Sequence, residues 1–340
     1  MSEHKYLELE DHLSFFQRGK KYGDHFRYEI NGFLSDNLAR INKVRKTPIL
    51  YTDAMHYVKK CIPFIEREIP NIAEEILGLS RGAQIPYEEA MLLQLRRELI
   101  SDDILDCTAF SNFLENGNSF LAENVDLPGN LSDLGCIVKT KQKNAPDILM
   151  YTHIGLLGYL GMNSSGLAIG INMVMSDGWG PGVPPYLIIK ELLLKCHNTI
   201  DCINRIKSFS RTSSRNFMLV DNFNQFCVEM TPSDFEIVNN SMNVHTNHYL
   251  NYKMKKHESL EKKSNSVNRH NFVLSKLEHG VTKDNIIEIL TDHEHDICLH
   301  SNSNANNSET IGSVIMYPSS QEMSVNFGKP CKKNFITFKL

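Results

Sequence analysis

Two side chains able to do covalent chemistry flank the strongest turn signal in the chain. Thr108 to Phe113 consists mostly of β-formers, Glu115-Asn116-Gly117-Asn118 reads as a hairpin turn, and Ser119 to Asn124 reads as the return strand. A two-residue turn at Asn116-Gly117 predicts a register in which Cys107 faces Asp126 at the open end of the hairpin. A thiol brought beside a carboxylate is a candidate for catalysis. Each residue also has a plainer reading, since a lone Cys is often a small buried hydrophobe and an Asp at a strand end often a turn former.

Other residues with ligand or binding chemistry lie further along. Thr291-Asp292-His293-Glu294-His295-Asp296, with His300 beyond, offers two imidazoles on one strand face and carboxylates beside them. The low-complexity run Ser301 to Ser308 follows, and no other firm ligand set is visible, so no metal is expected. Gly178-Trp179-Gly180-Pro181-Gly182 is an irregular loop carrying the single Trp, able either to line a pocket or to anchor its own loop. Eight cysteines, at 61, 107, 136, 196, 202, 227, 298 and 331, show neither a C-x-x-C pair nor zinc-finger spacing. Seven of them read as reduced packing residues.

The elements that must position Cys107 follow from composition and pattern. The 340 residues are 41% hydrophobic and 22% charged, enough for a substantial core. A net charge of -4 gives no footprint for nucleic acid. The start, Met1 to Glu8, lacks a basic segment followed by an apolar one, and the apolar stretch Ile154 to Val174 is broken by glycines, Asn163, Ser164 and Ser165. These features predict a cytoplasmic protein with no membrane partner.

Residues 1 to about 100 read as helical: 24–45, 53–68 with a kink at Pro63, a helix from Pro70 to near Gly82, and one from Pro86 to about Ile100. Beyond the hairpin, strands are predicted at 134–140, 148–152 and 167–174. Two helices follow, at 185–195 and 199–209, and then strands at 216–221, 226–230, 235–238 and 244–246. The lysine-rich stretch Tyr252 to Val267 reads as a solvated loop, and the chain closes with strands at 313–317, 323–327 and 335–338.

Landmarks in order along the chain carry a resemblance. Tyr22-Gly23 with Arg27, Gly78-Leu79-Ser80-Arg81-Gly82-Ala83 and Leu93-Gln94-Leu95-Arg96-Arg97-Glu98-Leu99 come first. Cys107-Thr108, Ala122-Glu123-Asn124-Val125-Asp126, Gly161 to Leu167, Gly182-Val183-Pro184 and Val244-His245-Thr246-Asn247-His248 follow, with Ser313 to Met316 and Gly328-Lys329-Pro330-Cys331 at the end. In this sequence of motifs the chain resembles the aminopenicillanate (isopenicillin N) acyltransferase family of self-processing N-terminal-nucleophile cysteine hydrolases, and also carcinine and β-alanyl-amine hydrolases.

The resemblance implies an α+β four-layer αββα sandwich, two antiparallel sheets between helical layers, forming one integrated domain. It further implies self-cleavage between Asp106 and Cys107 into a helical fragment, residues 1–106, and a catalytic fragment, residues 107–340, that stay together as partners. Cys107 is then nucleophile and, through its freed α-amine, base. Asp126 orients that amine, and Asn247 donates to the oxyanion. Asn124, His245, Arg96, Glu98 and Trp179 stand as supporting residues, and neither cofactor nor metal is implied.

Two departures bear on the substrate: Asp106 stands where the family often has Gly, and the Asn307-Ser308-Glu309-Thr310 segment lacks the Arg of the penicillin-forming members. The favoured expectation is therefore hydrolysis of a linear small-molecule amide, or transfer of its acyl group to an amine. An acyl-CoA-dependent N-acyltransferase and an uncleaved binding or scaffold protein remain as alternatives.

Overall fold

In the computed structural model the described residues are 5–100, 107–238, 242–259, 265–278, 280–301 and 307–340. The Asp106 side of the expected cleavage site therefore lies outside them. The helices are α1 (Phe15–His25), α2 (Arg27–Phe33), α3 (Tyr51–Glu68), α4 (Pro70–Ala83), α5 (Tyr87–Leu95), α6 (Pro185–Lys195), α7 (Thr199–Ile206), α8 (Ser266–Leu277) and α9 (Lys283–Leu290). The strands are β1 (Tyr6–Leu9), β2 (Thr108–Phe113), β3 (Ser119–Pro128), β4 (Gly135–Thr140), β5 (Ile148–His153), β6 (Leu160–Asn163) and β7 (Leu167–Met173). Seven more follow: β8 (Arg215–Val220), β9 (Gln225–Met230), β10 (Phe235–Val238), β11 (Asn243–His245), β12 (Ser308–Tyr317), β13 (Glu322–Phe327) and β14 (Ile336–Lys339).

The strands form an eight-stranded sheet, β1-β4-β5-β6-β7-β8-β9-β10, and a six-stranded sheet, β11-β2-β3-β12-β13-β14. Alternation along β2 and β3 explains why they stack. Ala109, Leu121 and Val125 join one core with Ile169, Phe217 and Leu219 of the larger sheet, while Phe110, Phe120 and Ala122 join a second core with Val273, Leu277, Ile286 and Leu290 of α8 and α9. On the far side, α6 covers β6 and β7, and α1 packs on β1. The result is the expected α+β four-layer sandwich. One part of the expectation is corrected: the larger sheet is mixed, because β1, which the residue pattern did not reveal, runs parallel to β4.

The helical reading of 24–45 also needs correction. Helix ends at Phe33, and Asn37, Ala39 and Arg40 take positive φ of 61°, 49° and 57°. The Asp36 carboxylate accepts the N–H groups of Leu38 and Arg40, a local arrangement that competes with helix continuation. Pro63 sits inside α3, as expected. The Gly23 and Gly78 to Gly82 landmarks have a packing role. A Cβ on Gly19 would meet Glu75 O at 1.8 Å and one on Gly78 would meet Phe16 O at 2.1 Å, so α1 and α4 touch backbone to backbone.

Candidate active site

The hairpin at Glu115-Asn116-Gly117 forms, in a different register from the two-residue turn expected. Leu114 N–H donates to Asn118 O at 2.8 Å and Gly117 takes φ 83°, giving a three-residue loop. Thr108 therefore pairs with Asn124, and the ladder carried one step further sets Cys107 opposite Val125 instead of Asp126. Cys107 nevertheless meets Asp126 through the backbone: its thiol donates to the Asp126 carbonyl at 3.8 Å.

The other neighbour of β2 completes the site. β11 pairs antiparallel with β2, His245 opposite Ala109, so the same register carries Asn247 to the position across from Cys107. Asn247 is fully buried; its N–H donates to Ser266 Oγ at 2.8 Å and its Nδ2 to Met173 O at 3.0 Å. Asp126 is buried as well, and its Oδ1 accepts the Thr310 hydroxyl at 2.6 Å. Thr310 in turn accepts the Leu299 N–H at 2.8 Å. Cys107, Asp126 and Asn247 are thus brought together.

Arg269 and Glu123 were not singled out by sequence. Arg269, buried on α8, donates from Nη1 to Cys107 O at 2.9 Å and to Thr108 Oγ1 at 2.8 Å, and from Nη2 to Asn247 Oδ1 at 2.7 Å. Its signal was a single Arg among the apolar positions of α8, in a stretch read only as following a loop. Ser266 opens that helix. The described residues of the preceding stretch are mostly exposed, as the loop reading expected, but Met254 is buried among them and Glu258 accepts the Tyr249 N–H at 3.0 Å.

Glu123 is fully buried between the sheets and accepts the Ile171 N–H at 3.0 Å. Burial pushes its carboxyl well above the usual range, and the charge of Asp126 adds to that. Gly170 makes room for it, since a Cβ there would lie 2.6 Å from Glu123 Oε2.

Burial, with Asp126 and Glu123 nearby, also pushes the Cys107 thiol far above its ordinary value, against smaller opposing effects of the Asp126 carbonyl hydrogen bond and Arg269. The resting sulfur is a thiol, not a thiolate, and needs a base to attack. Among the described residues no imidazole bonds to it.

The supporting residues divide. Asn124 holds the helical layer, its Nδ2 donating to Leu290 O and Ile297 O at 2.9 and 2.8 Å. His245 is locked away from the thiol by Glu229 Oε1 at 3.0 Å and Thr246 O at 2.9 Å. Glu98 forms a buried ion pair with Arg215 at 3.1 Å, and Arg215 lies over the rings of Trp179 and Tyr186 at 5.3 and 5.4 Å. Trp179 Nε1 donates to Ser214 Oγ at 2.9 Å, so the ring anchors its loop.

Arg96 donates to Ala39 O at 2.6 Å and lines a mostly apolar cavity of about 50 Å³ with Phe33, Leu127, Leu131, Leu134, His153, Tyr159 and Tyr186. Tyr159 and Tyr186 are both buried, and burial pushes their hydroxyls up. No described helix is long and apolar enough to cross a membrane.

The histidine stretch separates in two. His295 turns to Asp292, Nδ1 at 3.2 Å from Oδ1, and stacks on Phe272 at 3.9 Å. His293 and His300 instead meet Cys298 and Cys331, with one ligand atom from each within 4.8 Å of the others. Cys331, remote in sequence, thus brings a fourth donor-bearing side chain to a group that local spacing did not reveal.

The family model described as acyl-coenzyme A:6-aminopenicillanic acid acyl-transferase matches residues 113–332, a span that contains Asp126 and Asn247 and begins just after Cys107. The chain is 24% identical over 277 residues to the acyl-coenzyme A:6-aminopenicillanic-acid-acyltransferase 40 kDa form of Emericella nidulans, covering 77% of this chain and 76% of that one. Among solved structures it is similar to penicillin V acylase from Agrobacterium tumefaciens (14% identity, TM-score 0.46, 69% of this chain and 86% of that one). It is also similar to the Caenorhabditis elegans ortholog of N-acylethanolamine-hydrolyzing acid amidase (15% identity, TM-score 0.46, 69% and 100%).

Proposed function

The chain belongs to the acyl-coenzyme A:6-aminopenicillanic acid acyl-transferase family, and from that premise we propose that it is a self-processing N-terminal-nucleophile cysteine enzyme acting on a small linear amide through a Cys107 thioester. The supporting observation is the register that sets Asn247 across from Cys107 on one side while Asp126 lies beside it on the other. A buried, protonated thiol with no bonded imidazole among the described residues calls for a base of another kind, and a freed α-amine is one.

Maturation begins when Cys107 Sγ attacks the Asp106 carbonyl carbon; the Asp106–Cys107 C–N bond breaks, the acyl group moves to sulfur, and the thiol proton passes to the nitrogen that becomes the free amine. Water hydrolyses the thioester, giving a carboxylate on Asp106 and a free amine and thiol on Cys107. That amine, with a reference pKa of about 7.7–8.0, accepts the thiol proton as sulfur attacks a substrate carbonyl. Asn247 Nδ2 has a second hydrogen beyond the one given to Met173 O, and it donates to the oxyanion. The α-ammonium, oriented by Asp126, protonates the departing amine. Water or an acceptor amine then takes the acyl group from sulfur.

The cavity of about 50 Å³ lined by Tyr159 and Tyr186 is the acyl site in this reading. The name of the Emericella relative supplies a second donor, acyl-CoA; acceptor-dependent consumption of acyl-CoA separates that reading from amide hydrolysis.

Intact mass spectrometry of the purified protein beside Cys107→Ala tests the proposal. Two fragments, one beginning at Cys107, are expected only in the unsubstituted protein. A single full-length mass in both excludes the α-amine mechanism.

A further inference from the structure

We propose that Cys298, His300, Cys331 and His293 form a structural zinc site that clips the segment after α9 to the turn after β13. Three ligands come from the stretch between α9 and β12, and Cys331 comes from the 3-10 turn Pro330–Lys332. Cys298 Sγ and Cys331 Sγ each lie 3.5 Å from His300 Nε2. With Zn–S of about 2.3 Å and Zn–N of about 2.0–2.1 Å, the sulfur-to-nitrogen edge of a tetrahedron is about 3.6 Å.

One imidazole nitrogen has either one hydrogen or one lone pair and cannot bond both thiols at once, although the two thiols also bond each other. A cation between them serves both. The His293 and His300 rings approach to 4.8 Å nearly edge-on at 88°, bringing the fourth donor to the same point. The widest separation among the four ligand atoms is 4.8 Å, so the site contracts by about 1 Å on binding to reach tetrahedral edges. Two imidazoles and two thiolates match the Cys₂His₂ set of structural zinc and do not suit magnesium or calcium. Both histidines are exposed while Cys298 is buried, so the site has a protein floor and an open entry.

The clip has a consequence inside the molecule. Leu299, between two of the ligands, exchanges hydrogen bonds with Thr310, its N–H to Oγ1 at 2.8 Å and its O from the Thr310 N–H at 2.9 Å. Thr310 then donates to Asp126 Oδ1 at 2.6 Å. Zinc thereby fixes the segment that fixes Asp126, whatever reaction Cys107 performs.

Elemental analysis of the full-length protein, expressed with added Zn²⁺ and gel-filtered, tests this directly. One zinc per chain is expected, lost in Cys331→Ser and in His300→Ala, with circular dichroism confirming that each variant folds. Replacement by Co²⁺ gives intense tetrahedral ligand-field absorption and a thiolate charge-transfer band, both lost in Cys331→Ser. Zinc that stays bound at full stoichiometry in both variants overturns the proposal, as does a folded, metal-free wild type in which Cys298 and Cys331 form a disulfide or react freely with an alkylating agent despite added Zn²⁺.

Discussion

Arg269 Nη2 donates to Asn247 Oδ1 at 2.7 Å, and this bond decides which way the Asn247 amide faces. With the oxygen held toward α8, Nδ2 donates one hydrogen to Met173 O and keeps a second. The same guanidinium holds the Cys107 carbonyl from Nη1. One side chain thus sets the separation between the nucleophile's own residue and the group proposed to receive the oxyanion, and it does so from a fully buried position where it has little freedom.

Replacing Arg269 by Met should lower kcat by about 100-fold and cost about 2–4 kcal/mol of stability, because three charge-assisted bonds vanish together. Lysine keeps the charge without the fork, so Arg269→Lys should recover stability better than kcat. Steady-state kinetics beside urea unfolding separates the two effects. Equal recovery of both would mean that charge alone matters and that orientation of Asn247 does not.

Asn247→Ala should lower kcat by about 10² to 10³ with little change in KM, the signature of a donor used only in the transition state. Its Met173 partner loses a hydrogen bond, so some stability goes with it, and rates are best compared well below the melting temperature. Unchanged turnover in a folded variant removes Asn247 from the oxyanion role.

Gly78→Ala should destabilise the protein by about 3 kcal/mol or more, since the new methyl would sit 2.1 Å from Phe16 O and neither helix backbone can yield locally. Chemical denaturation measures it. A cost below about 1 kcal/mol would show that α1 and α4 can slide apart without loss.

How far the chain could be read from its residues follows the range of the signals. Alternation, turn chemistry and helical spacing are local, and they located β2 to β5, β7 to β11, β13 and β14 to within a few residues, the second half of β12, and α3 to α7. The turn at Gly117 was recognised, yet its length was misjudged by one residue, and in a strand pair one residue exchanges the faces. Cys107 reached Asp126 all the same, because the contact uses a backbone carbonyl. β1 escaped because a four-residue parallel edge strand has no alternation long enough to stand out. Arg269 and Cys331 escaped for a different reason: each gains its meaning from partners more than 20 residues away, Asn247 for the one and His300 for the other, and nothing in the spacing announces such a meeting.

Glu123 carries the clearest pH signature. Burial raises its folded pKa above an unfolded value of about 4.3, so the folded state keeps a proton that the unfolded chain releases. The stability this group contributes is complete below about pH 4.3 and is lost as pH rises from there toward the folded pKa, at up to about 1.4 kcal/mol per pH unit. Glu123→Gln keeps an oxygen to accept the Ile171 N–H and has nothing to ionise. Its melting temperature should therefore match the wild type near pH 4 and exceed it by a growing margin toward pH 7, read by thermal unfolding across that range. A margin that stays constant with pH would mean that Glu123 ionises normally in the fold, and that the neutral acid beside Cys107 does not exist.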